Sequence, residues 1–320
     1  MDYPQKKVNE MKLKVVGVLA YDSIISEFGK RDNLFGGSAT HFAISASYLN
    51  QNVHITGAIG NDFDDKDLNT LSSIGINTDG IKKLNESTFR WEGKYEYDSP
   101  NDAITITNSI IKGDDNVLNT YKPQLFSQDE DEDEEYFLFL ANGDPEHQLS
   151  LINQAENKSK FIGLDTMDFW INNKPDHVIK LFPLIDILII NENEAKLICN
   201  DNNLKKCISK LNSLGVKRMI IKLGNYGMIY SHDNETFFLP ALLLDKVVDP
   251  TGAGDSFAGG FMGYLSTVQK SGEIEFKNAC VFGTVMASFC VEDFGANKTL
   301  NLTEEEINIR KNLLFNQIKI

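Results

Sequence analysis

At 320 residues and 42% apolar side chains, the chain is long for one domain but has the make-up of a water-soluble globule with one large α/β core. Its 46 acidic against 31 basic residues leave a net charge of −15, which argues against a nucleic-acid-binding surface. No apolar run reaches the length of a membrane span, and the opening MDYPQKKVNEMKLK lacks the apolar stretch of a secretory signal, so a cytoplasmic protein with no membrane partner is expected.

Lys12 to Ala20 (KLKVVGVLA) reads as a buried first strand ending at Asp22. That places a carboxylate at a strand's C-terminal end, where α/β sheets bind ligands and where it can accept hydrogen bonds from two hydroxyls. A turn-capping Asp is the plainer reading of the same residue. A mixed segment, Ser23 to Phe35, leads to Gly36-Gly37-Ser38-Ala39, and 40–49 then has helical spacing, with His41 near its start. Val53 to Ile59 is a second strand, and Asp64 to Ile74 an amphipathic helix closed by Gly75. This is the alternation of a doubly wound sheet.

Between Ser87 and Tyr121 the rhythm changes. Thr88 to Tyr97, carrying Arg90 and Trp91, and Ala103 to Ile111 alternate across a Ser-Pro-Asn-Asp turn, which predicts a hairpin with one solvated face. The seven acidic residues Asp129 to Glu135 read as a solvated loop. Tyr136 to Ala141 returns to strand, just before Asn142, and 146–155 to helix. Phe161 to Asp165, Ile185 to Ile190 and Arg218 to Leu223 are further short strands. Asn191-Glu192-Asn193-Glu194 follows one of them, and its spacing sets Asn191 and Glu194 on one side of a helical turn; simple helix capping uses the same residues. Lys222-Leu223-Gly224-Asn225-Tyr226-Gly227 closes the next strand and also fits an ordinary turn. Ala279 to Val291 is a small-residue helix, and 303–318 an amphipathic one with Thr303 as N-cap and Glu306 completing a capping box. Cys199, Cys207, Cys280 and Cys290 form no C-x-x-C pair and read as reduced core residues.

The most informative stretch is Val247 to Phe261. Asp249 and Pro250 end a β-like run, Thr251-Gly252-Ala253-Gly254 makes a turn, and a helix starts near Asp255. Successive amides of such a turn converge at the positive end of the helix and form an anion hole. A carboxylate beside it suits phosphoryl transfer, with the amides holding the moving group and the carboxylate taking the proton of an attacking hydroxyl. A Gly-rich turn with an Asp cap is the bland alternative. No G-x-x-x-x-G-K-[ST] sequence is present, so phosphates are not held as in P-loop enzymes, and the first strand lacks the G-x-G-x-x-G of a dinucleotide oxidoreductase.

Asp-Pro-Thr-Gly-Ala-Gly-Asp-Ser-Phe-Ala-Gly-Gly-Phe (249–261) resembles the C-terminal signature of the ribokinase-like (PfkB) carbohydrate kinases, and the likeness extends over essentially the whole chain. The resemblance implies one α/β kinase domain over 1–320, a three-layer α/β/α sandwich on a mostly parallel sheet, with a small β-sheet lid from excursions at about 23–36 and 88–112. It implies Asp255 as catalytic base and Gly252, Ala253 and Gly254 as the anion hole. Gly36-Gly37 resembles the family's di-glycine motif, which lies against the sugar beside Asp22. His41 stands where many relatives carry an Asn that binds hydroxyls, and a histidine cannot both donate and accept as an amide does. Asn142 and Asp165 end strands that face the substrate in relatives, and Arg90 and Trp91 would reach it from the lid. Asn191 and Glu194 match the N-x-x-E motif, with Glu194 gripping Mg2+ through water. Lys222, Gly224 and Gly227 match the nucleotide loop, Asn278 lies in the adenine region, and Asp249 and Thr251 correspond to positions that bind a monovalent cation such as K+ in some relatives. The implied activity is ATP-dependent phosphorylation of a hydroxyl on a sugar-like molecule. A nucleoside kinase is the alternative, kept open by Trp91 and His41, and a ligand-binding regulatory protein on the same scaffold is the non-enzymatic one. Pairing of two lids into a homodimer is a further expectation.

Overall fold

The computed structural model describes residues 10–96, 99–108, 115–125, 135–233, 235–268 and 272–319. All but the last residue of the acidic run, and the end of the second expected lid piece, lie outside them. Among the described residues one nine-stranded sheet forms the centre. Its first strand is β1 (Lys12–Val16), an interior strand third from one edge, and a second, separate sheet begins at once with β2 (Ala20–Ser26) and β3 (Gly29–Gly36). The chain returns through α1 (Ser38–Ser47) to β4 (Val53–Ile59), α2 (Asp65–Ser73) and β5 (Asn77–Lys83). It then leaves again for β6 (Phe89–Glu96) and β7 (Ser99–Asn108).

From β8 (Tyr136–Leu140) the chain winds outward through α3 (Pro145–Ala155), β9 (Ser159–Leu164), α4 (Asp168–Asn173) and α5 (Pro175–Leu181). Next come β10 (Ile187–Asn191), α6 (Glu192–Cys199), α7 (Leu204–Ser213) and β11 (Arg218–Lys222). The edge strands β12 (Met228–His232) and β13 (Glu235–Leu239) follow, and the chain closes with α8 (Ala253–Leu265), α9 (Glu273–Cys290) and α10 (Glu304–Ile318). The spatial order is β13-β12-β11-β10-β9-β8-β1-β4-β5, parallel except at the two edge pairs β11–β12 and β12–β13. This mostly parallel sheet with helices on both faces is the architecture expected.

Strand alternation divides the core in two. Leu13, Val15, Phe137, Phe139, Ile187, Ile189 and Ile220 pack into one cluster with α1, α8 and α9. Val16, Leu138, Leu140, Leu188, Ile190 and Ile221 point the other way, against α3, α5, α6 and α7. Helix α8 sits close to its neighbours because it lacks side chains where they touch. A Cβ on Gly259 would stand 2.2 Å from the Phe42 carbonyl oxygen, and one on Gly260 would stand 2.7 Å from that of Phe282. Substitution there would push apart the helices that carry the site.

The smaller sheet has the order β3-β2-β6-β7 and is mixed: β2–β3 and β6–β7 are antiparallel, while its central pair β2–β6 is parallel. Three sequence expectations change here. The first strand stops at Val16, and Asp22 belongs to the second sheet rather than to the end of the first strand. The apolar run continues through the bend at Gly17 because both sheets bury their residues, so periodicity shows no break. Ser99 to Asp102, expected as the hairpin turn, lie in β7. Val247 and Val248 are not in a strand; the amides of Val248 and Asp249 instead donate to the Val291 carbonyl, at 2.7 and 3.3 Å.

Candidate active site

The C-terminal ends of β1, β8, β9, β10 and β11, the start of α8 and the smaller sheet enclose a cavity of about 570 Å³. One wall is the turn before α8. Gly252, at φ 76°, is the helix N-cap, a left-handed conformation that costs a residue with a Cβ. Both carboxylate oxygens of the fully buried Asp249 hold this turn, accepting from the Thr251 and Gly295 amides at 2.9 Å each. The Thr251 hydroxyl meets the Tyr95 hydroxyl of β6 at 3.0 Å, which ties the turn to the smaller sheet. The Ala253 amide donates to the Pro250 carbonyl at 3.1 Å. The amides of Gly252 and Gly254 have no acceptor among the described residues, so this pair is the open part of the expected anion hole.

Opposite the turn three carboxylates share one lysine. Lys222, the last residue of β11, places its Nζ 3.5 Å from Asp165 Oδ2 and 2.7 Å from where a Gly254 Cβ would stand. Burial alone would lower the Lys222 pKa, but the charges of Asp165, Glu194 and Asp255 hold it above its ordinary value. The carboxyls respond oppositely. Burial and then the Asp165 charge push Asp255 up to about 8 and Glu194 up to about 8, and burial raises Asp165 despite the lysine. Crowding of three carboxyls around one ammonium thus favours their protonated forms in the empty site, and a bound cation would offset that repulsion and favour their ionised forms. Among the described residues no three His, Cys, Asp or Glu side chains form a ready metal cage. The donors fit a magnesium ion that keeps most of its waters.

Asn191 and Glu194 form a complete capping box on α6: Asn191 Oδ1 accepts from the Glu194 amide at 2.8 Å, and Glu194 Oε2 accepts from the Asn191 amide at 2.7 Å. Capping and cavity lining coexist, since both residues face the cavity. Gly224 and Gly227 are in the turn after β11 and do not line it; a Cβ on Gly227 would stand 2.1 Å from the Leu239 carbonyl oxygen. Asn278 is buried on α9 beside Glu275 (3.3 Å) and the Tyr264 hydroxyl (3.5 Å), also away from the lining.

On the other side Asp22, Gly37, His41 and Asn142 all line the cavity. Burial and the nearby Asp249 charge push Asp22 up to about 7, and burial pushes His41 down to about 4. Asn142 Nδ2 lies 3.0 Å from Met167 Sδ, while its buried Oδ1 has no protein partner. Arg90 does not line the cavity. It points to the other face of β6, where it pairs with Asp62 at 2.7 Å, bonds Asn33 and lies over the Tyr21 ring. Trp91 does line it, with its indole nitrogen donating to Thr105 at 3.2 Å.

Several lining residues carry no motif in the sequence. Phe89, Tyr95, Tyr121, Phe169 and Trp170 add aromatic surface, and Gln148 joins two strand ends by donating to the Ala141 carbonyl at 3.0 Å and the Asp165 carbonyl at 3.1 Å. For β6 a signal existed: Phe89, Trp91 and Tyr95 share one parity of an alternating strand, opposite to Arg90.

An amide-lined helix start can hold a phosphate, and the carboxylate beside it can accept a proton. The profile of the pfkB family carbohydrate kinases matches residues 7–303, and the chain belongs to that family. It is similar to a cytidine kinase of Thermococcus kodakarensis, 28% identical over 79% of this chain and 87% of the relative. A ribokinase of Haemophilus influenzae is 24% identical over 85% of this chain and 86% of its own length. Among solved structures, the ribokinase of Cryptococcus neoformans in complex with ADP superposes with a TM-score of 0.72, covering 94% of this chain and 99% of that one at 21% identity. The fold is ribokinase-like. No helix among the described residues is long and apolar enough to cross a membrane.

Proposed function

We propose that the chain transfers the terminal phosphoryl group of ATP to a hydroxyl of a small polyol, with Asp255 as general base. The carrying observation is the position of Asp255 in the first turn of α8, one residue after the free Gly254 amide and on the same cavity as Asp22. Asp255 takes the proton as the hydroxyl oxygen attacks phosphorus, and the Gly252 and Gly254 amides, with Lys222, stabilise the charge on the transferred group. Asp165 and Glu194 would hold magnesium through its waters, and the ion would neutralise phosphate charge. Asp22 accepts acceptor hydroxyls, and the smaller sheet excludes water that would compete with them. The Asp249 carboxylate and the Thr251 hydroxyl and carbonyl fix the turn through protein partners, and the lone pair each oxygen keeps would also let this pair hold a monovalent cation such as K+.

The test is ADP formation with Mg-ATP over pentoses, hexoses and nucleosides. Asp255→Asn should lower kcat by about 100-fold or more with nucleotide binding kept; near-normal turnover would refute the assignment. A nucleoside acceptor is the second reading, favoured by the rings of Trp91, Tyr95, Phe169 and Trp170 around the cavity, on which a base can stack. A nucleoside turned over far faster than free ribose would select it.

A further inference from the structure

Strand β6 crosses the cavity as a strap, and its two ends are fastened differently. At the start, the Thr88 hydroxyl accepts from the Gly60 amide at 3.0 Å, and the Thr88 amide donates to Asp62 Oδ1 at 2.7 Å. Those bonds tie it to the loop just after β4. Further along, Trp91 lies over Gly93, where a Cβ would stand 2.0 Å from the indole. At the far end Tyr95 reaches the turn before α8, hydroxyl to hydroxyl with Thr251.

The direction of that last bond follows from its neighbours. The Thr251 amide donates to Asp249 Oδ1 at 2.9 Å, and the Thr251 hydroxyl also faces that carboxylate, lowering the Asp249 pKa against the effect of burial. A carboxylate only accepts, so the Thr251 proton is directed at Asp249 and the Thr251 oxygen is left to accept from Tyr95. Burial raises the Tyr95 pKa, which keeps the phenol proton in place for this bond. The other Asp249 oxygen accepts from the Gly295 amide. A directed chain of hydrogen bonds thus runs from the smaller sheet through Thr251 to Asp249.

Apolar contact follows the same route. Ile24, Leu34, Trp91 and Tyr95 of the smaller sheet pack with Val248 and Phe294 of the main body. Val248 and Phe294 are the chain neighbours of Asp249 and Gly295, the pair that pins the turn. A Cβ on Gly295 would itself stand 3.2 Å from Leu34 Cβ. The smaller sheet therefore docks on the residues that shape the anion hole.

We propose that Tyr95 is a positioning residue for phosphoryl transfer, its phenol holding Thr251 so that the Gly252 and Gly254 amides keep their productive orientation. Asp22 and Trp91 also belong to the smaller sheet and line the cavity, so an acceptor resting on them favours the docked sheet and the ordered turn together. This rests on the kinase reading for what the amides hold; the ordering of the turn by Tyr95 does not.

The experiment joins hydrogen exchange to a double-mutant cycle on the full chain at fixed KCl. Tyr95→Phe keeps the ring in its apolar cluster and removes only the hydroxyl. It should quicken exchange of the Ala253 and Ser256 amides, which bond the Pro250 and Gly252 carbonyls, by about fivefold and leave the amides of β10 unchanged. For whichever pentose, hexose or nucleoside is turned over, kcat should fall about fivefold to tenfold, with both KM values within about twofold of native. Bound to the native chain, that compound should slow the same two amides, and in Tyr95→Phe it should not. Thr251→Val should lower kcat by more, since it also frees Asp249, yet adding Tyr95→Phe to it should cost less than about twofold. Unchanged exchange in Tyr95→Phe would overturn the proposal, as would additive losses in the cycle or a loss confined to KM. If the native chain phosphorylates nothing in the panel while Tyr95→Phe still loosens the turn, the kinase reading fails and the ordering role of Tyr95 stands.

Discussion

Asp255 has to be ionised to act, and its surroundings resist ionisation. With its pKa raised to about 8 by burial and the Asp165 charge, the free chain at neutral pH holds most of this carboxyl as the acid. kcat/KM reports groups of the free enzyme, so it is expected to climb about tenfold per pH unit below pH 8 and to level off above it. Replacing Asp165 with Asn removes a repelling charge and should move the break to lower pH; a break that stays in place would show that Asp165 does not set it. A pH series of kcat/KM taken at subsaturating Mg-ATP and acceptor measures both. Asp255 and the Gly252–Gly254 turn are legible in sequence because phosphate chemistry fixes residue type and spacing together. Phe169 and Trp170 are not: they stand on a six-residue helix after β9, and the cavity needs only an apolar surface there, which many spacings supply. Arg90 shows the reverse error, since a cation on a lid strand suggests a ligand, but the parity of β6 turns it toward Asp62.

Elements rather than side chains set the cavity's dimensions. Gln148 on α3 joins the ends of β8 and β9, and so fixes the spacing between Asn142 and Asp165. Gln148→Ala leaves two strand-end carbonyls without this donor, and should cost about 1–3 kcal/mol of stability in urea unfolding and raise KM more than it lowers kcat. Gly252→Ala acts on α8 instead. A Cβ there meets both a φ of 76° and the His41 ring, so a loss of about 1–3 kcal/mol is expected together with loss of the anion hole; native stability and activity in that variant would contradict the turn as described. Element types were readable where a strand is buried on both faces, as in β4, whose bounds match the expectation residue for residue. Strands β12 and β13 went unseen: β12 is buried but only five residues long, and the edge strand β13 opens on Glu235 and Thr236 and leaves Phe238 exposed, so neither shows a sustained alternation. Sequence could not show that β2 leaves the main sheet, because the same apolar run serves β1 and β2.

For the molecule as a whole, buried charge ties stability to pH. Asp22, Glu194 and Asp255 have folded-state pKa values of about 7, 8 and 8, against about 4 when unfolded. The folded chain keeps protons that the unfolded chain releases, so stability falls as pH rises through this window and levels above about 8. His41, depressed to about 4, works the other way below pH 6.5, where the unfolded chain takes up a proton the folded one refuses. Tm should therefore decline from about pH 6.5 to 8 and then level, and Asp255→Asn should make the decline shallower while lowering kcat about 100-fold or more. Scanning fluorimetry across that range, without nucleotide, tests this directly.

The parallel pairing of β2 with β6 also sets an order of assembly. Ala20 meets Phe89 and Asp22 meets Trp91, yet β4, α2 and β5 lie between them in the chain and belong to the other sheet. Closing that ladder carries the entropy of a long loop until the intervening unit has docked and shortened the distance. The molecule contains two tryptophans, Trp91 on the late-forming sheet and Trp170 beside β9, so Trp170→Phe leaves one fluorophore that reports only the later event. In stopped-flow refolding its signal should lag behind far-UV circular dichroism. A chain emerging from the ribosome would then pass through a stage with a finished floor and no roof, its cavity still open to water.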